Sequence, residues 1–283
     1  MKPNPQILIP PLKFVVTVLI SLFCFLACDK EETRSTAKSE NVSSGDASVD
    51  TAIITNGLVA WYTFKNGSLD DKSGKGNNIV FSNAMVTADK NGNATSAYLF
   101  NGSSYMRVPN SPSLQLTNKI TIFATVKVNG FYAGGCHGNR IVQKGYDDNT
   151  AGTYVLGFDD AYYYNSNNCS NPVDTNHQNF IGSFGNSLFD KAFAVDSNFI
   201  KKGKWYSIAY TYDGSVIKVY QNGTLKTSNS KSITLTPNSD DLFIGMTNIN
   251  NAGFPYWFNG VIDEIRIYKR ALSAAEIKQL SGQ

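Results

Sequence analysis

The segment "FNGVIDEIRIY", residues 258–268, sets an aspartate inside what reads as a β-strand. On a two-residue period Val261, Ile265 and Ile267 point to one face, and Asp263 shares that face. A carboxylate among aliphatic side chains has to be paired, neutralised or bound to a metal, because burying it bare is very costly. Glu264 faces the other way with Arg266 and Tyr268. A same-face Glu264–Arg266 pair is of the surface kind, contributing about 0.2–1 kcal/mol. A second acidic stretch, "SLDDKSGKGNN", carries Asp70 and Asp71. Asp71 is a second metal candidate there, although the stretch lacks the acidic ladder and closing glutamate of an EF-hand loop and reads better as a surface turn.

Glycosidic hydrolysis needs two carboxylates placed on either side of the bond. From Gly57 onward the only glutamates are Glu264 and Glu276, so the acids would have to be aspartates. Asp147-Asp148, Asp159-Asp160 and Asp240-Asp241 are adjacent pairs, which point to opposite faces of a strand or belong to ordinary loops. His137 and His177 lie in Asn/Gly-rich loops and read as surface residues. The glycines of "GGCHGNR" open no helix, which excludes a dinucleotide site. Binding is the chemistry that remains. The stretches "GYDDNTAGTY" and "DDAYYYNSNNCSNPVDTNHQNF" set Tyr146, Tyr162, Tyr163 and Tyr164 among amides and carboxylates. Sugars present apolar ring faces and a rim of hydroxyls, which aromatic planes and Asn/Asp side chains meet together. Trp257, with Tyr256, joins this set. The alternative is that the tyrosines fill core positions or brace a long loop.

The cysteines bear on compartment. Residues 1–27 form a lipoprotein-type leader: Lys2 and Lys13, the apolar run "FVVTVLISLFCFLA", then Cys28. Cys28 is the expected lipidation site; the alternative is a transmembrane anchor, for which the run is short against a span of about 20 residues. "DKEE" after Cys28 resembles the acidic export signal of surface lipoproteins of Bacteroidetes-type bacteria, which implies an outer-membrane, cell-surface location. Residues 28–55 are rich in Ser, Thr, Asp, Glu and Lys without hydrophobic periodicity and read as a flexible tether. The membrane is then touched only through the lipid. With Cys24 in the leader, Cys136 and Cys169 remain as an even pair in an oxidising compartment, and a disulfide between them is expected. A metal site is the alternative, but it would need more than His137 and His177. Lysines and arginines number 25 against 22 acids, and that balance offers no basic field for nucleic acid.

These residues must be positioned by strands. From residue 56 to 283, short runs such as "LVAWYTF", "KITIFATVKVNG", "KWYSIAYTYDG" and "SVIKVYQNG" alternate with Gly, Asn, Asp and Pro, the pattern of an all-β sandwich. Asp213-Gly214 and Asn222-Gly223 predict two tight hairpins. In "ALSAAEIKQL", Ser273 and Glu276 predict a capping box, and Ile277 and Leu280 share one face of a short C-terminal helix expected to cover an edge of the sandwich.

The segments "GLVAWYTFKNGSLDDKSGKGNN", "AYLFNGSSYMRVPNSPSLQL", "KWYSIAYTYDGSVIKVYQNGTL" and "FNGVIDEIRIYKRALSAAEI" resemble, in this order, bacterial laminin-G-like domains of the concanavalin A-like lectin/glucanase superfamily. The resemblance implies a two-sheet antiparallel jelly roll. It also implies a structural calcium held by Asp263 and main-chain carbonyls; the alternative is a carboxylate that accepts hydrogen bonds from backbone amides. The loop region 130–197 has no counterpart. The glucanases of that superfamily carry Glu-x-Asp-x-x-Glu on one strand, and this chain has no such pattern. The expectation is therefore a monomeric, non-catalytic domain that binds a carbohydrate or glycoprotein. The alternatives are a protein-interaction or adhesion scaffold and, behind it, a glycoside hydrolase.

Overall fold

The computed structural model describes residues 54–282 apart from 148–149, 161–168, 170–171, 188–189, 197 and 199. The leader, Cys28, most of the tether and Tyr162, Tyr163 and Tyr164 lie outside the described residues.

Two antiparallel sheets form a jelly-roll sandwich. The first runs β13 (Thr224–Ser230), β12 (Val216–Gln221), β11 (Trp205–Tyr212), β6 (Ile120–Gly130), β15 (Asn259–Tyr268), β4 (Ala97–Asn101) and β3 (Met85–Thr87), with β1 (Leu58–Tyr62) also paired to β15. The second runs β10 (Lys191–Asp196), β9 (Gln178–Gly185), β8 (Thr153–Asp160), β7 (Asn139–Lys144), β14 (Leu242–Ile244), β5 (Met106–Val108) and β2 (Phe81–Ser82). Both Gly-containing hairpins form as predicted, at Gly214 between β11 and β12 and at Asn222-Gly223 between β12 and β13. Asn222 and Gly223 hold the positive φ that such turns demand, 49° and 76°.

Alternate residues of the facing strands fill the space between the sheets. Ile122, Val126, Ile208, Tyr210, Ile265 and Ile267 from the first sheet meet Leu156, Phe158, Phe180, Phe184 and Ile244 from the second. Rings interlock across the layer: Phe184 lies 4.9 Å from Tyr212 and Phe180 lies 5.5 Å from Tyr206. Gly182 is required at its position, since a Cβ there would stand 2.6 Å from Tyr210 Cβ.

The C-terminal helix α1 (Ala274–Leu280) has the predicted capping box, with Ser273 and Glu276 satisfying each other's backbone amides. It covers the outer face of the first sheet rather than an edge. Ile277 packs there with Leu58, Phe123, Ala209, Tyr220, Tyr268 and Leu272 in a second apolar cluster. This outer cluster exists because Phe123 and Tyr268 alternate with the inward-facing residues of β6 and β15.

The single-period reading of β15 needs correction. A β-bulge between Ile262 and Glu264 breaks its register against β6: Ile262 pairs with Val126 and Glu264 with Thr125, leaving Asp263 as the extra residue. The bulge reverses the face parity. Ile262, Ile265 and Ile267 belong to the inter-sheet core, whereas Val261 does not. Asp263 is thereby turned out of the aliphatic layer to a half-buried position.

Candidate functional site

Two surfaces carry side chains arranged for binding, and the bulge at Asp263 makes the first. A cavity of about 460 Å³ opens there, lined by Thr63, Lys65, Asn66, Asp89, Asn93, Ala94, Ser96 and Asp263. Its walls are built from strained loops: Phe64, Asn66 and Thr95 all hold left-handed φ, between 51° and 57°. Asp263 receives one long hydrogen bond, 3.4 Å from the amide of Lys90. Desolvation pushes its carboxyl up to about 6, against the pull of that amide, and the nearby charges of Asp89 and Glu264 push it the same way. Asp89 accepts from the amides of Asn91 and Asn93 and from the Asn93 side chain, all at 2.8 Å.

This donor set fits a hard cation. It offers oxygen and no sulfur or imidazole, and Asp263 is a poorly satisfied carboxylate beside a second negative charge. No group of three or more His, Cys, Asp or Glu side chains stands ready for a metal among the described residues. A cation here would therefore need main-chain and amide oxygens beside Asp263.

Asp71 sits elsewhere and is occupied. Its carboxylate accepts from the amides of Trp61, Ser73 and Asn77 and from the Ser73 hydroxyl, at 2.7–3.0 Å. The bond from Trp61 ties the "DDKSGKGNN" turn to β1, and the other three close the turn on itself. Glu264 is paired as expected, 2.7 Å from Arg266, and also accepts from the Trp61 indole at 2.6 Å.

The second surface is the face of the second sheet turned away from the core. Cross-strand pairs share a face, so the register places Phe81, Arg107, Phe243, Gln143, Val155 and Ser183 in one row across it. Over the middle of this face lies the segment leading into β15. Arg140 is buried beneath the Tyr256 ring at 4.4 Å and meets Asp159 at 3.1 Å. Tyr256 holds a φ of 48°, a strained backbone in a segment that lies over the sheet.

One end of the face stays open. Phe81 stacks on Tyr105 with centroids 4.7 Å apart and an interplanar angle of 29°, and Tyr105 meets Trp257 at 6.3 Å. Phe81 is exposed, and Tyr105 and Trp257 are half-buried. Beside Tyr105, at the next outward position of β5, Arg107 pairs with Asp241 at 2.9 Å. Three rings and an ion pair thus form a platform at the sheet edge. Of its members only Trp257 is among the sequence-predicted ligand residues. Phe81, Tyr105 and Arg107 carry no local signal, because β2 and β5 are short strands that read as generic sheet and Tyr105 lies just before β5.

The other predicted residues are distributed around this platform. Tyr146 is exposed and its hydroxyl donates to the Asn250 carbonyl at 3.4 Å, so it leans on the same 246–257 segment that ends in Trp257. Cys136 and Cys169 form the expected disulfide. His137 departs from the surface reading: it is buried, with Nδ1 2.6 Å from Asp160 Oδ2. Neighbouring backbone explains this, since Cys136 and His137 both take positive φ and fold the imidazole under the loop. His177 is exposed and pairs with Asp174 at 2.7 Å.

Comparison with known proteins accords with this architecture. The laminin-G-type family model described as the concanavalin A-like lectin/glucanases superfamily matches residues 100–278. Domain 4 of AbnA, a GH43 extracellular arabinanase from Geobacillus stearothermophilus solved with arabinotriose, aligns at 21% identity and a TM-score of 0.53. That match covers 79% of this chain and 98% of that one. The binding domain of Paraclostridial Mosquitocidal Protein 1 aligns at 16% identity and a TM-score of 0.58, covering 80% and 52%. A structure described as botulinum neurotoxin type C, whose cell entry depends on two ganglioside molecules, aligns at 14% and 0.56, covering 81% and 51%. The chain spans about half the length of these toxin structures. No curated protein matches its sequence. The family match spans well over half of the chain and coincides with the two-sheet sandwich, so the chain belongs to the concanavalin A-like lectin/glucanases superfamily.

Proposed function

We propose that this chain is a non-catalytic carbohydrate-binding module whose ligand rests on the Phe81–Tyr105–Trp257 platform. The observation that carries the reading is the platform's composition: three partly exposed rings next to the Arg107–Asp241 pair. A pyranose or furanose ring lays its C–H face on the rings, while guanidinium and carboxylate meet its hydroxyls. The sugar-bound and ganglioside-dependent structures of the same fold support this class of ligand. Tyr146, exposed and in contact with Asn250 and Asn251, remains a candidate apart from the platform, and Tyr162, Tyr163 and Tyr164 remain candidates outside the described residues.

The only glutamates in the described fold are committed, Glu264 to Arg266 and Trp61 and Glu276 to the helix cap. The buried His137–Asp160 pair is out of reach of substrate. These assignments support binding without hydrolysis. In the same reading Asp263, with oxygens of the surrounding loops, holds a calcium ion, which would neutralise the paired negative charge and brace the strained walls. Residues 1–27 serve as the leader, Cys28 carries the lipid, residues 28–55 are the tether, and the domain is displayed at the outer membrane.

A glycan array probed with the chain, with and without calcium, tests the reading. Binding to at least one neutral polysaccharide or glycolipid headgroup, weakened in Trp257→Ala, is the expected result. Absence of binding in both conditions overturns it. A protein partner is the second reading, favoured by the exposure of Ile249 and Phe254, 49% and 43%, on the segment before Trp257. Capture of that partner undiminished by competing sugars would select it.

A further inference from the structure

A third surface, separate from both, is a cleft of about 590 Å³ whose cations come from three distant parts of the chain. Lys75 belongs to the turn after β1, Lys119 to the approach to β6, and Lys269 follows β15. All three are exposed, and none makes an ion pair among the described residues, whereas Lys72 and Lys231 are each paired with an aspartate. No carboxylate lines the cleft. Its remaining walls are Ser113, Gln115, Thr117 and Asn118, with Val59, Pro112 and Leu116 supplying apolar surface.

We infer that this cleft binds an acidic saccharide, one bearing carboxylate or sulfate groups. Three ammonium groups around one concavity repel one another, and a polyanion entering it relieves that repulsion while releasing its own counterions. Hydroxyl and amide side chains between the lysines suit a ligand that is itself rich in hydroxyls, and the apolar strip suits a sugar ring face. The size lies in the range of small-ligand pockets, about 300–1,000 Å³, so it admits a sugar and not only a single inorganic anion. A nucleic acid would bring the same charge, but the cleft offers no aromatic ring for base stacking.

The test uses the full chain and oligosaccharides of matched length: dextran sulfate, neutral dextran, oligogalacturonate and a single-stranded DNA oligomer. Titration calorimetry at several salt concentrations gives affinity and salt slope. Dextran sulfate or oligogalacturonate binds and neutral dextran does not; response to both assigns carboxylate as sufficient, and response to dextran sulfate alone narrows the ligand to sulfated sugars. The Lys75→Ala/Lys119→Ala/Lys269→Ala variant lowers the affinity by about 10- to 100-fold at low salt and flattens the salt slope. The corresponding triple arginine variant keeps the affinity within about threefold, since it preserves the charge that the anion meets. Lys226→Ala, an exposed lysine of β13 outside the cleft, leaves acidic-saccharide binding unchanged, which separates the cleft from general surface charge. Equal affinity of the wild type and the triple alanine variant, absence of binding by both acidic probes, or tighter binding of the DNA oligomer each overturns the inference.

Discussion

His137 Nδ1 stands 2.6 Å from Asp160 Oδ2, with 4% and 1% of the two side chains exposed. The pair links the loop before β7 to the last residue of β8, one position from the Cys136–Cys169 disulfide. Asp160 also accepts from the amide of Asp174 at 3.1 Å, so one carboxylate gathers both loops. Removing the imidazole leaves buried hydrogen-bonding capacity unmet. His137→Ala is expected to destabilise the domain by about 1–3 kcal/mol, read as a lower denaturation midpoint. A change below about 0.5 kcal/mol, typical of a surface site, would contradict the geometry.

The disulfide closes a segment of 33 residues. By loop-closure entropy such a crosslink stabilises by about 3–4 kcal/mol. Reduction, or Cys136→Ser with Cys169→Ser, should lower the denaturant midpoint accordingly, with loops 131–138 and 172–177 becoming the first sites of proteolysis.

Arg270 grips the helix cap through Glu276, with Nη1 3.0 Å from Oε2 and Nη2 on the other oxygen. Those bonds hold the Glu276 carboxyl down at about 2, from an ordinary 4.5. A carboxyl depressed on folding contributes stability that is complete above its unfolded pKa and vanishes as pH falls through the folded one. The contribution should therefore be intact above pH 4.5 and disappear by about pH 2. Glu276→Gln should flatten that part of the stability profile and cost about 1.5 kcal/mol at neutral pH, the low end for a charged hydrogen bond because the pair is partly exposed.

Asp263 has the opposite electrostatics, a carboxyl raised by burial near like charge. If calcium occupies its cavity, chelation lowers the melting temperature and added calcium raises it in proportion to the logarithm of concentration. Asp263→Asn should abolish this response while leaving the metal-free melting temperature equal or higher. Identical wild-type melting curves with calcium and with chelator would return Asp263 to a purely hydrogen-bonded role.

On the aromatic platform, Trp257→Ala and Tyr105→Ala should each weaken glycan binding by about 1–2 kcal/mol, a factor of roughly 5–30. Circular dichroism should stay native, since neither ring belongs to the inter-sheet core.

Local chemistry determined much of this protein by itself. Turn dipeptides such as Asn222-Gly223 specify their hairpins because few residues tolerate positive φ, and Ser273 with Glu276 specifies the helix start because both bonds span one turn. Alternation sufficed for an all-β sandwich, and the pairing of Cys136 with Cys169 followed from there being two cysteines after Cys28. Tertiary structure alone decided the rest. The bulge at Asp263 inverts a face that strict alternation would bury, because one extra residue resets the register of everything after it. His137 is buried against Asp160, 23 residues further along the chain, once its loop backbone turns the imidazole inward. Phe81, Tyr105 and Trp257, like Lys75, Lys119 and Lys269, come together only when strands far apart in the chain lie side by side. Their separation in sequence leaves no periodicity to read, so contact between them is a property of the packed sheets and not of any one segment.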